Sequence, residues 1–145
     1  MTQNTSPPPP TMETMTQEQL DALAKLHERF LSGRLGGRRA ALKNVNLKGL
    51  SLKGADMRQA HLMGCNMTHM DLSGVNFQEA SLYASDLSYA NLNKAIFVRA
   101  DLRGARIENA SLEDANMEKA DLRVGGLCQR QGRLRQRSGS KFPRG

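Results

Sequence analysis

The sequence predicts an all-β solenoid, a chain that turns repeatedly and stacks its turns around an apolar bore. Three observations carry this reading. Residues 40–124 divide into five-residue units without insertion or deletion, seventeen in all. The third residue of every unit is Leu, Met, Phe or Ile, from Leu42 to Leu122. The first residue is mostly Ala, and the second is mostly Asp, Asn or Ser.

A period of five suits neither regular structure. On an α-helix each residue turns by about 100°, so five residues drift and no apolar face survives. On a straight strand the side chains alternate, so the next unit would point its Leu outward. The pattern holds only if the chain bends once per unit. Positions one and three then face inward, position two faces out, and positions four and five make the corner. Gly49, Gly54, Gly64, Gly74 and Gly104 stand at fifth positions, with Asn44, Asn109 and Asp114. These residue types tolerate turn backbones. A chain that always bends one way stacks its turns, each pairing only with its neighbours.

These residues resemble the pentapeptide-repeat family, whose pattern is Ala-(Asp/Asn)-Leu-X-X. The resemblance covers residues 40–124 and implies a right-handed, four-sided β-helix with four units per coil. Units four apart then stack, which places Met57, Phe77, Phe97 and Met117 in one inner column with the two Phe rings in contact.

Residues 1–15 read as a disordered leader, because Pro7 to Pro10 favour polyproline II and little there can form a core. They lack the basic and apolar segments of a secretory signal. Residues 16–39 read as a capping helix and linker. Thr16-Gln17-Glu18-Gln19 is a capping box. Leu20, Leu23, Ala24, His27, Phe30 and Leu31 follow helical spacing on one face, and Ser32-Gly33 is a stop. Such a helix plugs the open end of the bore, a general need of solenoids. His27 is expected to pack structurally at the cap rim. Residues 125–145 abandon the repeat. They carry six Lys/Arg and no acid, and read as a disordered basic tail. Native polyanion binding competes there with an unselected end, such as a shifted reading frame or a vector scar.

The formal charge of +7 belongs to that tail, since the array holds ten basic and ten acidic residues. In the first coil Lys43, Lys48, Lys53 and Arg58 fall one on each side and form a basic ring. In the fourth coil Glu108, Glu113 and Glu118 occupy three sides. Candidate polyanion contacts are this ring together with Arg130, Arg133, Arg135 and Arg137. Met63, Tyr83, Ile96 and Val98 are unusually apolar for outward positions and form the candidate partner surface.

No phosphate loop, metal motif or catalytic triad is present, so no cofactor, metal or catalytic residue is expected. Cys65 and Cys128 read as free thiols of a reducing cytoplasm, and no run is apolar enough to span a membrane. The reading is a non-catalytic bacterial scaffold that docks an unidentified protein. The alternatives are nucleic-acid-related. Some members of the resembled family mimic DNA and bind gyrase, which needs a strongly acidic surface that this neutral array lacks. The tail offers nonspecific nucleic-acid binding instead. The bore residues Leu102, Ile107, Leu112, Met117 and Leu122 are expected to lie at an uncapped C-terminal end, which offers either a homodimer through that end or a monomer whose tail lies loosely over it.

Overall fold

The computed structural model describes residues 12–123. Strand β1 (Glu13–Thr14) and helix α1 (Gln17–Leu31) precede the array, which opens with β2 (Ala41–Lys43), β3 (Val45–Asn46) and β4 (His61–Met63). Beyond these, each side touches the next coil through a single parallel bridge at its second position. Examples are Ser51↔Asp71, Asp71↔Asn91 and Asn91↔Ser111. The spacing of twenty residues means four units per coil. The sides stay too short for long strands because each bends after its fourth residue.

The bond ladder is regular. The third-position N–H donates to the second-position carbonyl nineteen residues ahead, as from Leu52 to Asp71 at 3.0 Å. The second-position N–H donates back twenty-one residues, as from Asp71 to Leu50 at 3.0 Å. At most corners the first residue of one unit donates to the third of the previous one, as from Ala55 to Leu52 at 2.9 Å. Every fifth position from Asn44 to Lys119 has φ between 56° and 75°. That is the left-handed value a type II turn needs at its third residue. Glycine meets it without strain at Gly54 and Gly74, whereas Ala84, Tyr89 and Arg99 meet it against their Cβ atoms.

The bore is filled as the pattern predicts. Third positions are buried from Leu47 to Met117, with Leu42 and Leu122 half-buried at the two ends. Phe77 and Phe97 stack with centroids 5.4 Å apart and planes at 18°. One corner is built differently. The buried Ser85 hydroxyl donates to the Leu62 carbonyl at 2.6 Å and accepts from the Cys65 N–H at 3.0 Å. It thus bridges the turn of the coil before it.

Helix α1 begins with the expected capping box. Thr16 accepts from the Gln19 N–H at 3.2 Å, and the Gln19 side chain accepts from the Thr16 N–H at 2.9 Å. Leu20 joins the core, and Met15, Leu23 and Ala24 pack against it. The helix closes the first coil's edge as well as its bore. The Gln17 carboxamide copies a neighbouring strand, accepting from the Ser51 N–H at 2.8 Å and donating to its carbonyl at 2.9 Å. His27 is fully buried. Its Nδ1 accepts from the Ala40 N–H at 2.9 Å and its Nε2 donates to the Arg58 carbonyl at 2.7 Å, which fixes a neutral Nε2–H tautomer. Strand β1 pairs with β3, so the leader is not without structure as far as residue 15. Its last residues form an extra strand over the second side. The remaining leader, residues 1–11, and the tail from Val124 lie outside the described residues.

At the C-terminal end Ile107, Leu112 and Met117 are buried within the single chain. Of the bore residues expected to lie open there, only Leu122 is not buried.

Candidate functional site

The array presents four walls, made by units four apart. The first wall carries the units from Ala40, Ala60, Ala80, Ala100 and Ala120. The second starts at Val45, the third at Leu50 and the fourth at Ala55. Outward side chains come from second and fourth positions, and corner side chains from fifth positions.

Most second-position side chains serve the backbone. Asn46 accepts from the Lys48 N–H at 3.1 Å, Asn66 from Thr68 at 3.1 Å and Asp86 from Ser88 at 3.0 Å. Each satisfies the fourth-position N–H as the chain enters its corner, the usual work of Asx turns. In the units of Arg106 and Ser111 the previous coil does this instead. Ser88 accepts from the Glu108 N–H, and Asn93 from the Glu113 N–H at 2.8 Å. The sequence pattern shows Asp and Asn at this position but not this use, which becomes visible only with the corner geometry.

The first wall carries an outward column of Lys43, Met63, Tyr83, Arg103 and Arg123. Met63 pairs in register with Lys43, and the Gly64 N–H donates to the Tyr83 carbonyl at 2.9 Å, so Met63 and Tyr83 sit one above the other as expected. Tyr83 is 43% exposed, while Met63 is half-buried. The Arg103 guanidinium lies 5.4 Å from the centre of the Tyr83 ring. Arg103 and Arg123 each clasp the aspartate two residues before them, at 2.9 Å and 2.7 Å. These guanidinium bonds hold the Asp101 and Asp121 carboxyls below the usual carboxylate range. Ile96 and Val98 are half-buried on the adjoining fourth wall, beside the exposed Arg99–Glu79 pair.

The basic ring is present but unequal. Lys43, Lys48 and Lys53 are exposed on the first three walls. Arg58 is clasped by Asp56 in a two-pronged contact at 2.8 and 2.7 Å, and that bond lowers the Asp56 pKa. Three ammonium groups therefore carry the ring's free charge. Arg130, Arg133, Arg135 and Arg137 lie outside the described residues.

Two features escaped the sequence reading. The exposed His69 and Tyr89 rings stack 5.0 Å apart with planes at 3°, in the corner between the second and third walls. On the third wall a shallow polar trough of about 510 Å³ runs between Lys53, Ser73, Asn91, Asn93, Lys94 and Glu113. Among the described residues no group of three His, Cys, Asp or Glu side chains is placed to hold a metal. None of their helices is long and apolar enough to cross a membrane.

Repeat pattern, twenty-residue coil and corner turns together define the class, a stacked-coil protein of pentapeptide units. The pentapeptide-repeat family profile matches residues 40–79 and 85–123, in eight copies. That is more than half of the chain, and the chain belongs to this family. Among solved structures it is similar to a pentapeptide repeat protein of the Arabidopsis thaliana thylakoid lumen. That match has 22% identity and a TM-score of 0.41, and covers 73% of this chain and 60% of the other. It is also similar to a pentapeptide repeat protein of Nostoc, at 19% identity and TM-score 0.35, over 92% of this chain and 99% of that one. QnrB1, a plasmid-mediated fluoroquinolone resistance protein, aligns at 23% identity and TM-score 0.24 over 72% of this chain and 64% of its own. The chain spans less than two thirds of the plant protein and of QnrB1. No curated protein matches it.

Proposed function

We propose that the chain is a non-catalytic interaction module of the bacterial cytoplasm, and that its first and fourth walls dock a protein partner. The observation that carries this is Tyr83. It is a large ring 43% exposed on a wall whose backbone is bonded to the coils on both sides. Met63, Ile96 and Val98 supply apolar area around it, and tyrosine beside arginine is the composition of interface centres. The coil is read as right-handed, the hand that parallel crossovers take almost without exception. The buried free thiol of Cys65 suits a reducing compartment. Mimicry of DNA at gyrase stays disfavoured, because the array's ten basic residues balance its ten acidic ones.

Two further contacts belong to the reading. Lys43, Lys48, Lys53 and Arg58 are the polyanion contacts of the folded body, with Arg130, Arg133, Arg135 and Arg137 those of the tail. An end-to-end homodimer rests mainly on the strand edge, since of these bore residues only Leu122 is not buried. It leaves the walls free in either state.

The test is capture of partners from the native host by the full chain, by a chain ending at Val124, and by the Tyr83→Asp variant. The expected result is one partner held by the first two and lost by the third. A partner held equally by Tyr83→Asp, or lost with the tail, removes the docking wall from the proposal.

A further inference from the structure

We infer that the corner between the second and third walls is a stacking site for the bases of single-stranded nucleic acid. Its fifth positions are Gly49, His69, Tyr89 and Asn109. The His69 and Tyr89 rings lie parallel, 5.0 Å apart, with Tyr89 56% exposed. Both residues hold left-handed backbone, at φ 60° and 63°. The fold does not ask for rings here, because Gly49 and Asn109 hold the same place in the same column with less strain.

The column is open on one side of the stack. A Cβ built on Gly49 would meet no atom within 4 Å. One face of the His69 ring is covered by Tyr89, and the other looks toward this gap. A planar group entering at the level of Gly49 extends the stack by one layer. At that level Lys48 and Lys53 stand exposed on either side, and no ion pair among the described residues engages them. Asp71, the carboxylate that feels Lys53, is bonded to the Ser73 hydroxyl at 2.8 Å.

An exposed ring face with Lys48 beside the corner and Lys53 farther along the adjoining wall is complementary to a base with its flanking phosphates. Stacking on exposed aromatics within a basic setting is how single strands are held without sequence preference. A duplex does not fit, since its bases are already stacked on one another. This site is separate from the Tyr83 wall and goes beyond the docking proposal.

The test measures binding of a labelled short oligothymidylate to the full chain, beside an abasic strand of equal length. Any contact of basic side chains with phosphates is common to both strands, so the difference between strands reports the corner. The oligothymidylate is expected to bind more tightly than the abasic strand. His69→Ala is expected to weaken it by about 5- to 100-fold and to erase the difference between strands. Gly49→Asn tolerates left-handed backbone and fills the gap, and is expected to do the same while melting like the wild type. Replacing Lys48 and Lys53 by Gln should lower the salt slope by about 1.4. Equal affinity for the two strands overturns the proposal. So does undiminished binding by both His69→Ala and Gly49→Asn, or binding of a peptide at this corner with none of either strand.

Discussion

Replacing His27 by Gln should remove an acid-sensitive step from the stability of the fold. The imidazole is fully buried and joins α1 to two backbone groups of the first coil, the Ala40 N–H and the Arg58 carbonyl. A proton added at Nδ1 would face the Ala40 N–H, donor against donor, and bring a charge into the core. Burial accordingly holds the His27 pKa below its ordinary value, with the Arg39 and Arg58 charges acting the same way. The Arg58 carbonyl bond and Asp56 oppose them. The unfolded chain binds a proton near pH 6.5 that the folded chain refuses. Stability is thus full above pH 6.5 and falls as the pH drops toward the lowered folded pKa. Between pH 7.5 and 5.5 the loss is at most about 1.4 kcal/mol, the limit for a group that stays wholly neutral in the folded chain while the unfolded one titrates at 6.5. The carboxylates held low by their partners, Asp56, Asp71, Asp101 and Asp121, lose their contribution only as pH falls below the ordinary aspartate range, and do not share this window. Urea melts at the two pH values measure it. The wild type should lose stability between them and His27→Gln almost none, though less stable throughout by about 1–3 kcal/mol. Equal pH dependence in both chains would refute the assignment of His27 as a neutral clasp.

Leu102→Asp places a carboxylate in a site 1% exposed and should cost several kcal/mol; a thermal melt matching the wild type would contradict the bore. Deleting residues 1–32 removes Leu20, Leu23 and Ala24 from the core and strips the bonds of Gln17 and His27 from the first coil's edge. Light scattering should then show aggregation, and a stable monomer would mean the cap is dispensable. Ala84→Gly should stabilise slightly, by about 0.5 kcal/mol, because relief of left-handed strain at φ 59° exceeds the entropy glycine adds. A lower melting temperature would show that the Ala84 Cβ packs favourably at its corner.

Much of this architecture is legible in the sequence because one rule repeats. An inward Leu or Phe at every third position forces the bend, and the period alone stacks Phe77 on Phe97. His27 is legible as a structural residue from its place on the apolar face of α1. Its two backbone partners are not, since Ala40 and Arg58 come together only when the coil closes. Gln17 reads as part of a capping box, yet its carboxamide completes the edge at Ser51, a contact set by how the helix lies across the bore. Strand β1 has no apolar pattern because it pairs through backbone alone. The candidate surface is legible at Tyr83, a large ring at an outward fourth position. His69 and Tyr89 are hidden in the sequence because fifth positions read as turn residues, and their stacking depends on the twenty-residue coil.

The ladder also sets an order of assembly. Each backbone bond between coils reaches only nineteen or twenty-one residues along the chain, and each corner bond only three, and α1 and β1 close on the first coil alone. A ribosome delivers these parts in the order in which they can be used. The cap emerges first, the first coil gives it something to bind, and each later coil finds its whole template already formed. No pairing waits for a distant segment, so little loop entropy is spent before contacts form. The protein is built to fold as it is made, from one end, with the growing edge always the newest coil.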